Sequence, residues 1–106
     1  MNNYDRTVIK DIMLGHGDWY GAMLLRTIAL GNSMERRLFY ISYPEEMQAV
    51  DNLDLKPPEH QLGMSDVFNS ALDRLFAKAD LANKRKLARC FSRLESRLLF
   101  EISHYR

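Results

Sequence analysis

Leu14-Gly15-His16-Gly17-Asp18 and Leu62-Gly63-Met64-Ser65-Asp66 carry the same punctuation twice, 48 residues apart. At that offset Leu24, Arg26, Ala29 and Arg37 meet Leu72, Arg74, Ala77 and Arg85. Positions 14–37 and 62–85 thus share seven identities in 24 ungapped pairs, where ordinary residue usage gives about one or two by chance. Other pairs match in kind: Tyr20 with Phe68, Ile28 with Phe76, Asn32 with Asp80, Arg36 with Lys84, Phe39 with Leu87 and Tyr43 with Phe91. Each unit reads as a glycine stop, an Asp cap, an amphipathic helix, an Asn/Asp break and a second helix. One such hairpin exposes its apolar stripe, whereas two stacked about a pseudo-two-fold axis bury it. The expected fold is all-α: a compact bundle of five or six helices in one domain, 1–106, with units at about 14–51 and 62–99 and a linker at 52–61.

Outward from that block, Asp5 is expected to cap a first helix to about Leu14, with Val8, Ile9, Ile12 and Met13 on one face. Gly15-His16-Gly17 ends it. Asp18 then caps a helix from about Trp19 to Leu30 that is apolar on nearly every side, and so central. Gly31 closes that helix. Asn32 with Glu35 forms a capping box for the next. Pro44-Glu45-Glu46 starts a short helix to about Asp51, proline suiting the first turn and glutamates the helix N-terminus. Lys56-Pro57-Pro58-Glu59-His60 reads as a stiff, extended linker. After a cap at Ser65 or Asp66, Phe68, Ala71, Leu72, Leu75, Phe76 and Ala79 make an amphipathic stripe. Asp80 breaks and recaps. A last helix from about Leu81 to His104 has Leu87, Phe91, Leu94, Leu98 and Ile102 as its buried seam, with Ala88 and Leu99 beside it.

The 106 residues include 46% hydrophobic and 27% charged side chains, a globular balance that excludes wholesale disorder. The single cysteine, Cys90, excludes an intrachain disulfide and a two-cysteine metal site and suits a reducing compartment. No apolar run reaches the roughly 18 residues of a membrane span, and Met1 to Asp5 does not read as a secretory signal. A cytoplasmic protein is expected. The net charge of +1 hides a split. Residues 1–73 carry six Lys/Arg and eleven Asp/Glu, a balance of −5, and residues 74–106 carry nine and three, a balance of +6. Pairing of the halves, head-to-tail association and an acidic partner for the C-terminal helix are all compatible with it.

Asp18-Trp19-Tyr20, Leu24-Leu25-Arg26-x-Ile28-Ala29, Arg36 and Tyr43-Pro44-Glu45-Glu46 together resemble a pattern in short, uncharacterised proteins of bacteriophages and prophages. There an Asp-Trp-Phe/Tyr opening leads to Leu-x-Arg-Leu-Ile-Ala-Lys-Ala-Asp, then Asn-Arg, then Phe/Tyr-Pro-Glu. The chain divides that pattern. Its first half keeps the opening and the Tyr-Pro-Glu closing; its second keeps Ala77-Lys78-Ala79-Asp80 and Asn83-Lys84 but lacks the tryptophan and the proline. The resemblance implies a phage origin and carries no activity.

Chemistry has few footholds. His16-x-Asp18 and Glu59-His60 have ligand-type side chains, but the second unit puts Met64 where the first has His16, so His16 reads as loop and Asp18 as cap. Cys90, the counterpart of Ser42, falls close to the last seam and reads as a small buried side chain. There is no glycine-rich phosphate loop, nucleophile elbow or His-Glu-x-x-His. No catalytic residue, metal or cofactor is expected. Arg26 and Arg74, retained in both units, are expected to pair with an acid such as Asp18 or Glu45.

Arg85, Arg89, Arg93 and Arg97, with Lys84 and Lys86, form a basic strip on the last helix. It reads either as a solvated face opposite the seam or as a surface for phosphates or an acidic partner. No aromatic interleaves it, and Glu95 and Glu101 dilute it. Glu45 and Glu46, with Asp51 and Asp54, form an acidic patch. The expected function is a small non-enzymatic module that binds a host protein through these two surfaces, for example to inhibit a defence system. The alternative is a nucleic-acid-binding protein using the C-terminal helix. Homo-oligomers are compatible with the charge asymmetry.

Overall fold

The apolar run after Trp19 becomes α3, Tyr20–Leu30, and buries Ala22, Leu24, Leu25, Thr27 and Ile28. Thr27 enters the core because its hydroxyl donates back to the Met23 carbonyl at 2.7 Å. Around α3 the computed structural model, which describes residues 1–58 and 66–104, places α1, Asn3–Thr7; α2, Ile9–Met13; α4, Ser33–Phe39; α5, Pro44–Asp51; α6, Asp66–Lys78; α7, Leu81–Cys90; and α8, Glu95–His104. A single 3-10 turn, Ser92–Leu94, precedes α8. All regular structure among the described residues is helical, and the helices form a compact body. α3 packs against α2, α4, α5 and most extensively α6.

The caps explain most boundaries. Asn32 and Glu35 close a capping box, Asn32 Oδ1 accepting from Glu35 N at 2.9 Å and Glu35 Oε1 from Asn32 N at 2.8 Å. Asp80 does the same service for α7, accepting from Asn83 N at 2.8 Å. Pro44 sits in the first turn of α5. Gly15 and Gly17 take φ of +102° and +100° in the turn after α2, a region that favours glycine. Gly31 has an ordinary extended backbone; a Cβ there would stand 3.2 Å from the Phe68 ring. The second glycine stop, Leu62-Gly63, and the candidate cap Ser65 lie outside the described residues.

Three boundaries differ from the expectation. The first helix is two short ones parted at Val8, and its cap is Asn2, which accepts from Asp5 N at 2.7 Å. Asp5 is buried because it accepts from Trp19 Nε1 at 2.9 Å. Asp18 does not cap α3; Trp19 occupies the N-cap position in extended backbone, with no side-chain cap bond. The last helix is broken at Phe91, with φ −130° and ψ 102°. There the ring turns inward against Phe39, 5.0 Å between centroids, and Phe68, 5.7 Å. The seam therefore holds for Leu87, Phe91 and Leu94, weakens at Leu98, and fails at Ile102, which is exposed; of the two residues expected beside it, Ala88 is buried and Leu99 is exposed.

The stripe of Phe68, Ala71, Leu72, Leu75, Phe76 and Ala79 is buried throughout, as its spacing requires. Near the N-terminus the packing is tightest at Gly21, where an added Cβ would lie 2.3 Å from Asp5 Oδ2. Gly21→Ala is therefore expected to cost about 2 kcal/mol by forcing Asp5 off the Trp19 indole. Urea unfolding followed by fluorescence of Trp19, the chain's one tryptophan, measures both the loss and the altered indole environment.

Candidate partner-binding surface

The break at Phe91 divides the basic strip. Arg85 and Arg89 remain one turn apart on the exposed side of α7, and neither forms an ion pair among the described residues. Arg93, in the 3-10 turn, and Arg97, on α8, both turn to α6 and reach Asp73 Oδ1 at 2.9 and 3.0 Å. Arg97 also lies over the Phe76 ring, 5.0 Å from its centroid. Lys84 donates to Glu101 Oε2 at 2.5 Å and stands over the same ring. The four arginines are thus two pairs with different surroundings.

The acidic patch is divided as well. At the start of α5, Glu45 accepts from the Met1 α-amino group at 2.8 Å and lies 3.5 Å from Arg6, while Glu46 lies 3.6 Å from the same amine. The hydrogen bond from Met1 holds the Glu45 carboxyl below its ordinary range and the amine above its own. At the far end of α5, Asp51 accepts from the Tyr40 hydroxyl at 2.5 Å. That bond and the adjoining carboxylate push the Tyr40 hydroxyl pKa up.

Arg26 and Arg74, matched at the offset of 48 in the sequence, have different surroundings. Among the described residues Arg26 bonds no acid: it donates to the carbonyls of His16 at 3.0 Å, Gly17 at 2.6 Å and Ile12 at 3.4 Å, and so ties the glycine turn to α3. Arg74 is exposed. The most buried cation is Arg36, 5% exposed, which donates to Leu55 O and Ala29 O at 2.8 Å each. Burial lowers its pKa, partly offset by the Asp51 charge. Periodicity alone did not single Arg36 out; its signal was a cation within the helix that follows an apolar one.

Trp19 is half-buried, its ring 5.7 Å from that of Tyr4, and fastens α1 to α3 through Asp5. Cys90 is buried beside Ser42, and desolvation raises its pKa, which disfavours the thiolate. Tyr20 and Tyr43 share a 2.8 Å hydroxyl contact, and Tyr43 also donates to Asn83 Oδ1 at 2.9 Å. His16 is exposed; Glu59 and His60 lie outside the described residues. Among the described residues no three His, Cys, Asp or Glu side chains stand together as a metal site, and no helix is long and apolar enough to cross a membrane.

What the seam reading missed is α8. This helix packs chiefly on α7 and the 3-10 turn, and it leaves Leu99 66%, Phe100 65% and Ile102 37% exposed. Arg97 reaching α6 and Glu101 reaching α7 fix its rotation. At 100° per residue, Leu99 and Ile102 then turn to the flank away from α6. On α7 the residues next round from Lys84 are Leu81 and Arg85, both exposed. The exposed faces of α7 and α8 thus carry apolar side chains together with arginines that form no ion pair among the described residues. Compared with known proteins, the chain matches no family model, no curated protein and no solved structure.

Asp73→Asn is expected to change unfolding free energy by less than about 1 kcal/mol, because Asp73, Arg93 and Arg97 are well solvated. Arg36→Leu is expected to cost about 2 kcal/mol or more, since two buried carbonyls lose their donor. Parallel urea titrations distinguish the pair. Burial raises the pKa values of Tyr20 and Tyr43 above the ordinary 10.0. Their contribution to stability is accordingly full below about pH 10 and is lost as pH rises beyond it. Tyr20→Phe should flatten that alkaline decline in a pH series of melting temperatures.

Proposed function

We propose that this protein is a non-enzymatic protein-binding module whose docking edge is formed by α7 and α8. The observation that carries this reading is that α7 exposes Leu81, Arg85 and Arg89 and that α8, which packs on α7, exposes Leu99 and Ile102, while Arg85 and Arg89 have no acid of their own among the described residues. Apolar area supplies affinity, and uncompensated guanidinium groups select a partner with carboxylates. The phage-like pattern of the sequence supports a phage-encoded protein acting on a host protein in the host cytoplasm, a component of a defence system being one such target. Engagement of Arg93 and Arg97 by Asp73 favours this over nucleic acid, for which a continuous strip would track phosphates.

The same proposal includes descent from a duplicated hairpin, forming a single domain. It is supported by element boundaries that repeat at the offset of 48: α3 and α6 end at Leu30 and Lys78, α4 and α7 begin at Ser33 and Leu81, and α5 and the 3-10 turn begin at Pro44 and Ser92. The paired helices α3 and α6, and α4 and α7, also pack on each other. Ser42 also contacts Cys90, the residue 48 positions further on.

The test uses tagged protein expressed in its natural host. A stoichiometric host protein should co-purify with the wild type, and Arg85→Glu/Arg89→Glu should reduce its recovery at least about tenfold without lowering the melting temperature. Recovery of no stoichiometric protein, or binding of DNA or RNA that weakens steeply between two salt concentrations, would overturn the reading.

A further inference from the structure

Between α4, α5 and the segment after α5 lies a cleft of about 420 Å³, within the usual range of small-molecule sites, about 300–1,000 Å³. Its walls carry opposite charges. Arg36 and Arg37 stand on the α4 side, and Asp51 and Asp54 on the side formed by the end of α5 and the turn beyond it. Met47 and Leu55 add apolar surface. Tyr40 links the walls by donating to Asp51.

Arg36 is the unusual group. Both of its terminal nitrogens bond carbonyls rather than a carboxylate, and its Nε is buried without a partner among the described residues. An unsatisfied buried donor of this kind costs about 1–3 kcal/mol. Arg37, exposed at the rim, likewise has no carboxylate bonded to it among the described residues. A simple anion would satisfy the arginines but meet Asp51 and Asp54. A simple cation would meet the reverse. A molecule bearing both charges a few atoms apart satisfies both walls, and the apolar surface leaves room for a hydrocarbon side chain.

We propose that this cleft binds a free α-amino acid with an apolar side chain. Its carboxylate faces Arg36 and Arg37, its ammonium group faces Asp51 and Asp54, and its side chain lies against Met47 and Leu55. This site is separate from the α7/α8 edge and does not depend on it.

The experiment titrates isotopically labelled full-length protein with L-leucine, L-methionine and L-phenylalanine and follows backbone amide resonances. At millimolar concentration at least one of them should give saturable shifts confined to residues 33–40 and 47–57. The corresponding amide, which lacks the carboxylate, and the N-acetyl derivative, which lacks the ammonium, should each bind at least about tenfold more weakly. Arg37→Ala and Asp54→Asn, both at exposed positions, should each weaken binding about tenfold, and Arg85→Glu/Arg89→Glu should not. The proposal is overturned by the absence of saturable shifts with all three amino acids, by derivatives that bind as well as the parent, or by affinity that neither cleft substitution alters.

Discussion

Burying the Phe91 ring against Phe39 and Phe68 requires the backbone to leave the helical region at that residue, and the C-terminal quarter of the molecule is arranged by that requirement. A fully buried phenylalanine contributes about 2–3 kcal/mol, while a backbone hydrogen bond forgone in a helix interior is worth about 1 kcal/mol net. Some bonding is also retained, since Phe91 N still donates to Leu87 O at 2.9 Å and Leu94 N to Phe91 O at 2.9 Å. The ring prevails. With the chain turned at Phe91, Leu94 enters the core, α8 doubles back along α7, and Lys84 comes within reach of Glu101. A straight helix from 81 to 104 would have carried Arg93 and Arg97 away from Asp73.

A second principle governs the first half. Among the described residues its buried or half-buried arginines hydrogen-bond no carboxylate; they are used as multidentate donors to backbone carbonyls. Arg26 gathers the glycine turn and Arg36 fastens the segment after α5 to the end of α3. Helix C-termini and turns present carbonyls without intrahelical donors, and a planar guanidinium can serve two or three of them at once. The cost is a charge held in a poorly solvated place. At Arg36 it shows as a depressed pKa and an unbonded Nε.

These two principles separate what was legible in the sequence from what was not. Local chemistry was readable: the Asn32 capping box, the Asp80 cap, Pro44 in its first turn, the glycine turn and the six-residue stripe of α6 all depend on neighbours within one turn of helix. Long-range competition was not. Asp5 and Asp18 both have the composition of caps, but Asp5 is taken by an indole fourteen residues away and Asp18 precedes a helix whose N-cap position falls to Trp19. No proline or glycine marks the break at Phe91, because its cause is an aromatic cluster assembled from α4, α6 and α7. The basic strip was inferred from i, i+4 spacing, which holds only while one helix runs through all four arginines, and so only the Arg85–Arg89 step survives as drawn.

The charge split between the halves takes on a different meaning in three dimensions. Pairing of the −5 and +6 halves would be expected to spend most of the surplus internally. Yet among the described residues the ion pairs that cross the division use the single carboxylate of Asp73, shared by Arg93 and Arg97. Glu45 and Glu46 are satisfied by the N-terminal segment, and Lys84 and Glu101 by each other. Arg74, Lys78, Arg85, Lys86 and Arg89 are left on exposed positions of α6 and α7. Because solvent screens a surface charge over roughly 8–10 Å, such a surplus costs the fold little while it remains exposed. Arg85 and Arg89 on α7 are the part of this surplus that the proposed docking edge draws on. The asymmetry read from composition is therefore left on the exposed faces of α6 and α7, and α8 lies beside α7 because the chain turns at Phe91.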